Sequence, residues 1–217
     1  MLDYFILRAK NNYIKKPLIV YLHGYGENFI SQRYKTQQED SLPGMREKYP
    51  ILQNATIVTP FTPNGIWWNC KQLMDFINII IKQENIDVTR IYLCGVSMGA
   101  YAAWALMSKY PNKFAAVVPI CGGTNPFLNR YYTLPFRWSE FDRVGFTKNT
   151  ETAVWAFHGM LDIVVPYYES ITNIKTLEQI GNSKCKLTIY KWKGHRIFHK
   201  TFNNPKLYEW LFKQKIY

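Results

Sequence analysis

Short apolar runs alternate along the chain with longer stretches of helical periodicity. "PLIVYLHG" (17–24), "ATIVTP" (55–60), "RIYLCG" (90–95), "FAAVVPIC" (114–121), "TAVWAFHG" (152–159) and "CKLTIYKW" (185–192) are short and rich in β-branched residues. Several are apolar throughout rather than alternating, as expected of strands covered on both faces of a parallel sheet. Between them, apolar residues recur at helical spacing over 70–85, 98–110, 167–181 and about 205–214. The proline of "KYPNKF" falls just past the second of these helices, where a helix stops readily. Strands and helices in alternation with short joins predict one α/β domain over 1–217, built on a doubly wound, mainly parallel sheet. No repeat, linker or low-complexity tract interrupts that pattern.

In such a sheet, reactive groups collect beyond the carboxyl ends of the strands. Ser97 lies there, after the 90–95 run and at the start of a helix, between Gly95 and Gly99. A strand-to-helix turn that presents a nucleophile needs residues without side chains on both sides, because helix and strand must pack closely. "LHGYGE" closes the 17–24 run, and a turn there can aim a backbone N–H at the same point. With the N–H after the serine, it nominates the backbone amides of Tyr25 and Met98 as an oxyanion hole. Asp162 in "FHGMLDIVVP" and His195 in "KGHRIF" each follow a further strand. Singly, these are a glycine turn, a turn-forming aspartate and an exposed histidine. Jointly, in the order Ser, Asp, His, they predict a triad for acyl transfer. Ser97 is its nucleophile, His195 its base and Asp162 the group that holds the imidazole.

Composition narrows the classes. At 217 residues, 47% apolar and 19% charged, the chain buries a sizeable core and is not disordered. A net charge of +12 raises the question of nucleic acid, but Lys and Arg are scattered, with no zinc-finger spacing or nucleic-acid motif. The charge reads as a basic surface without a nucleic-acid partner, and it leaves steering of an acidic substrate open. Cys70, Cys94, Cys121 and Cys185 are widely spaced and include no C-x-x-C pair, a reduced and metal-free pattern. "MLDYFILRAKNNY" carries Asp3 and Arg8 and does not read as a signal peptide. No stretch approaches the roughly 20 apolar residues of a membrane span. A cytoplasmic protein is expected, and triad chemistry asks for no cofactor.

From about residue 15 onward the sequence resembles α/β-hydrolase esterases of the phospholipase/carboxylesterase and dienelactone-hydrolase-like group. Within that group it is most similar to the small predicted-peptidase or feruloyl-esterase-like branch. "PLIVYLHGYGE", "RIYLCGVSMGAYAAWALMSKYPNKFAAVVPICGG", "VWAFHGMLDIVVP" and "TFNNPKLYEWLFKQ" carry the likeness. It implies an α/β-hydrolase fold, a small-molecule ester substrate, and the same five residues in the same roles. A peptidase of the prolyl-oligopeptidase type, or a ligand-binding protein that kept the fold, are the alternatives. The resemblance also places Trp67 and Trp68 of "NGIWWN" near the active-site mouth.

Two departures from that group stand out. After His195 comes Arg196, where the group usually has an acidic or small residue, and a cation there disfavours an imidazolium unless it points to solvent. His199 is a rival base four positions on, although the "G-H" placement directly after the strand favours His195. Residues 124–149, "TNPFLNRYYTLPFRWSEFDRVGFTKN", form an aromatic-rich insertion that reads as a cap over the acyl or alcohol pocket. Phe136 and Trp138 of that insertion join Trp67 and Trp68 as candidate pocket residues. These aromatics suit an apolar, aromatic or carbohydrate-linked acyl ester, and the positive charge accommodates an anionic leaving part. His23 and His158, each before a glycine at a strand end, read as loop-shaping, as does Glu27.

Overall fold

The computed structural model describes residues 2–10, 14–25, 41–62, 66–124 and 140–217. Its strands are β1 (Tyr4–Leu7), β2 (Lys16–Leu22), β3 (Thr56–Pro60), β4 (Ile86–Val96), β5 (Ala116–Ile120), β6 (Ala153–Gly159) and β7 (Cys185–Tyr190). They form one sheet in the order β1-β3-β2-β4-β5-β6-β7. β1 runs antiparallel to β3, with Tyr4 opposite Pro60, and the other pairs are parallel. The six expected strands are all present. β1 is an additional one, a half-buried edge run of only four residues with no alternation to mark it.

The described helices are α1 (Cys70–Gln83), α2 (Met98–Lys109), α3 (Arg143–Phe146), α4 (Tyr168–Gln179), α5 (Phe198–Phe202) and α6 (Pro205–Phe212). Every residue of β2 is buried, because successive side chains leave the sheet on opposite faces and both faces are covered. Leu18, Val20 and Leu22 meet α1 and α2 through Phe76, Ile77 and Trp104. Ile19 and Tyr21 point the other way, to Leu207, Tyr208 and Leu211 of α6 and to Leu42, Met45 and Leu52. α2 is buried over its whole length except Lys109, which explains why "AYAAWALMS" is apolar on all sides rather than on one stripe.

Residues 140–149 of the expected cap belong to the body of the protein. The Asp142 N–H donates to Ser108 Oγ at 2.9 Å, and Phe146 is buried edge-on to Trp104. Phe136 and Trp138 lie outside the described residues.

β3 and β4 leave β2 on opposite sides, so the chain reverses its winding direction at β2 and β4. In open α/β sheets the crevice beyond such a switch point is where ligands bind. Ser97 follows β4 at that place.

Candidate active site

Between Val96 and Met98 the backbone turns through Ser97 at φ 53° and ψ −115°, in the left-handed region that a residue with a side chain rarely occupies. Several contacts hold it there. The Ser97 N–H donates to the Ile120 carbonyl at 2.9 Å, and its own carbonyl accepts from Ala100 and Tyr101 at 2.8 and 3.1 Å. The flanking glycines are there for want of room. A Cβ on Gly95 would overlap the Gly99 carbonyl, and one on Gly99 would overlap the Leu22 carbonyl. The end of β2 therefore lies directly against the first turn of α2, with Tyr25 three residues beyond Leu22. Met98 opens α2, so its N–H has no intrahelical acceptor and sits at the positive end of the helix dipole.

His195 arrives from the segment after β7. Its Nε2 lies 2.9 Å from Ser97 Oγ and its Nδ1 lies 2.7 Å from Asp162 Oδ2. The carboxylate can only accept, so Nδ1 carries the proton, and Nε2 is the lone pair facing the serine hydroxyl. Asp162 follows β6, and its side chain is wholly buried. Its Oδ1 accepts the N–H groups of Val164 and Val165 at 2.8 and 2.9 Å. Burial pushes this carboxyl up, but hydrogen bonds from His158 and His195, the charge of His195 and the Val165 N–H outweigh it. The net result lies well below the ordinary carboxylate range.

His158 holds the same carboxylate from the other side. Its Nε2 lies 3.2 Å from Asp162 Oδ2 and 3.1 Å from the Val165 carbonyl, two acceptors that place the proton on that nitrogen. Nδ1 then accepts the hydroxyl of Ser170 at 2.7 Å. The loop-shaping expected of His158 is thus directed at Asp162 itself. Sequence reasoning missed Ser170, which no local signal marks, and it missed the His158–Asp162 contact, whose one available signal was the i,i+4 spacing of "HGMLD".

His199 is exposed on α5, and it is His195 that contacts both Ser97 and Asp162. Arg196 is exposed, with its guanidinium 5.9 Å over the Phe198 ring. His23 is buried, accepts the Thr62 N–H on Nε2 at 3.3 Å and packs 4.7 Å from the Trp68 ring.

Trp68 is the inward-facing member of the pair. It is only 2% exposed, and its indole N–H donates to the His23 carbonyl at 3.3 Å. It supports the loop after β2 from within the core, and with Trp67, Thr62 and Ile66 it lines a cavity of about 240 Å³. Trp67 is half-buried, edge-on to Tyr101 of α2 at 5.6 Å. Glu27 lies outside the described residues.

The four cysteines are unpaired, and burial holds the Cys121 thiol, beside Ser97, well up. A neutral buried thiol is no rival nucleophile. Among the described residues no three His, Cys, Asp or Glu side chains are grouped to hold a metal, and no helix is long and apolar enough to cross a membrane.

A model of the prolyl oligopeptidase family matches residues 67–214, a span that includes Ser97, Asp162 and His195. A bifunctional acetylxylan esterase/xylanase of Neocallimastix patriciarum is 31% identical over 128 residues, 58% of this chain and 18% of that protein. Among solved structures, a thermostable esterase superposes with a TM-score of 0.79 at 25% identity, covering 98% of this chain and 59% of that one. A ferulic acid esterase superposes with a TM-score of 0.72 at 15% identity, over 96% of this chain and 90% of its own, a likeness of fold. The first two relatives are thus matched over only part of their length.

Proposed function

The chain belongs to the prolyl oligopeptidase family, and from that premise we propose that it is a serine hydrolase acting on carboxylic esters. The observation that carries the reading is the line from Ser97 Oγ to His195 Nε2 and from His195 Nδ1 to Asp162 Oδ2, at 2.9 and 2.7 Å. His195 takes the Ser97 proton on Nε2 as the oxygen attacks the ester carbonyl. Asp162 keeps the imidazole in the required tautomer and stabilises the imidazolium, while His158 and two backbone N–H groups keep Asp162 ionised and in place. The amides of Tyr25 and Met98 receive the oxyanion. His195 then protonates the departing alcohol, and water resolves the acyl-enzyme by the same steps in reverse.

One catalytic domain over 1–217 would carry this chemistry. The acetylxylan esterase relative supports an acyl group on a carbohydrate as the substrate class. Four unpaired cysteines support a reducing, cytoplasmic setting, which suits an oligosaccharide rather than a polymer. A peptidase is the second reading, favoured by the family's description. Matched acetyl esters and blocked peptide anilides separate the two. Turnover of esters without turnover of anilides is the expected result, and comparable rates on both would move the assignment to a peptidase.

A further inference from the structure

The loop that carries His195 begins with a feature the triad does not use. The Lys193 N–H donates to the Tyr190 carbonyl at 3.2 Å and closes a turn with Lys191 and Trp192 at its tip. Trp192 is 84% exposed. The turn is stitched to the loop that carries Asp162, because the Leu161 N–H donates to the Lys193 carbonyl and the Met160 N–H to the Tyr190 carbonyl, at 2.9 and 3.0 Å. Met160, Leu161 and Ile163 are exposed there as well. Large apolar side chains gathered in solvent at the rim of a site mark a contact surface.

Along this segment of the chain the charge is of one sign. Lys191, Lys193 and Arg196 are exposed, and among the described residues none of them has a carboxylate partner. From Lys186 to Tyr208 the chain has no Asp or Glu and six Lys or Arg residues. Asp162 is sealed away and already paired.

We propose that this turn binds the alcohol part of the ester, and that this part is an acidic oligosaccharide, a sugar chain bearing uronate carboxylates. The inference rests on the ester-hydrolase reading above. The histidine that protonates a leaving oxygen must stand next to it, so the alcohol lies on the side of His195 and its loop. A pyranose ring offers a flat C–H face to an indole, and a ring carboxylate answers the lysines on either side of it. A neutral sugar leaves those cations without a partner, and an acidic peptide lacks the rigid apolar face.

The test uses the full chain as wild type, as Lys191→Glu/Lys193→Glu and as Trp192→Ser, with circular dichroism to confirm folding. Binding of glucuronate-bearing and neutral xylo-oligosaccharides of equal length is measured by calorimetry on a Ser97→Ala background. The ratio of kcat/KM for their acetylated forms is measured on the active enzyme. The acidic ligand should bind about three- to tenfold tighter at low salt, less so at high salt, with a matching kcat/KM ratio. Charge reversal should invert the preference, and Trp192→Ser should weaken both ligands. Ester turnover with no acidic preference overturns this proposal and leaves the hydrolase reading standing. No ester turnover, with acidic binding that still depends on Lys191 and Lys193, leaves the rim and overturns the hydrolase. Equal competition by polyglutamate overturns the carbohydrate assignment.

Discussion

His158 Nε2 lies 3.2 Å from Asp162 Oδ2, the same oxygen that receives His195 Nδ1 at 2.7 Å. Two imidazoles therefore converge on one buried carboxylate, one facing the Ser97 hydroxyl and the other anchored by Ser170.

That arrangement makes His158 a positioning residue for Asp162. His158→Phe keeps the ring volume but removes the donor, and kcat/KM on an ester should fall by about ten- to a hundredfold, chiefly in kcat. The Asp162 carboxyl itself should titrate higher in the variant, read by carboxyl NMR, because it loses one of the hydrogen bonds that hold it low. Unchanged kcat with only a lower Tm would reduce His158 to packing.

The depressed Asp162 carboxyl also fixes a sign for stability against pH. A carboxyl lowered on folding stabilises the protein above its unfolded range, near about 3.9, and that contribution fades as pH falls through it toward the folded value. Thermal unfolding of wild type and Asp162→Asn should differ most at neutral pH, with the gap narrowing below about pH 4. A gap that stays constant from neutral to acid would contradict the pairing.

Ser97 is held at φ 53°, a conformation that disfavours a side chain. Ser97→Gly removes the side-chain penalty of that conformation, worth on the order of 1 kcal/mol, and with it the hydroxyl proposed as nucleophile. The variant should unfold about 2–4 °C above wild type and be inactive. A lower Tm would mean that the serine side chain stabilises the turn.

Trp67 and Trp68 should behave oppositely. Trp68→Ala empties a sealed core site and should cost about 3–5 kcal/mol of stability, read as a large drop in the urea midpoint. Trp67→Ala, at a half-buried position beside Tyr101, should cost less stability and change KM. The reverse order of stabilities would contradict the inward placement of Trp68.

How much of this was legible in the sequence follows from how each element is buried. β2 to β7 are short apolar runs because neighbours cover both their faces, and that pattern survives in a single sequence. β1 is half-buried at the sheet edge and left only "YFIL". α3 is a single turn whose burial depends on Ser108 and Trp104 of α2, contacts that no local periodicity encodes. At the site, Gly95, Ser97 and Gly99 were legible because close packing of β2, β4 and α2 excludes side chains there. The ring direction of His158 was not, since a histidine before a glycine at a strand end says nothing of what its nitrogens face. Nor could "WW" reveal which tryptophan turns inward.

The most direct test of the central claim is intact mass after treatment with a fluorophosphonate, on wild type, Ser97→Ala, His195→Ala and His199→Ala. One adduct on wild type and His199→Ala, none on Ser97→Ala and little on His195→Ala is the predicted result. An adduct that persists on Ser97→Ala, or native wild type that takes none, would contradict a nucleophile at Ser97 activated by His195.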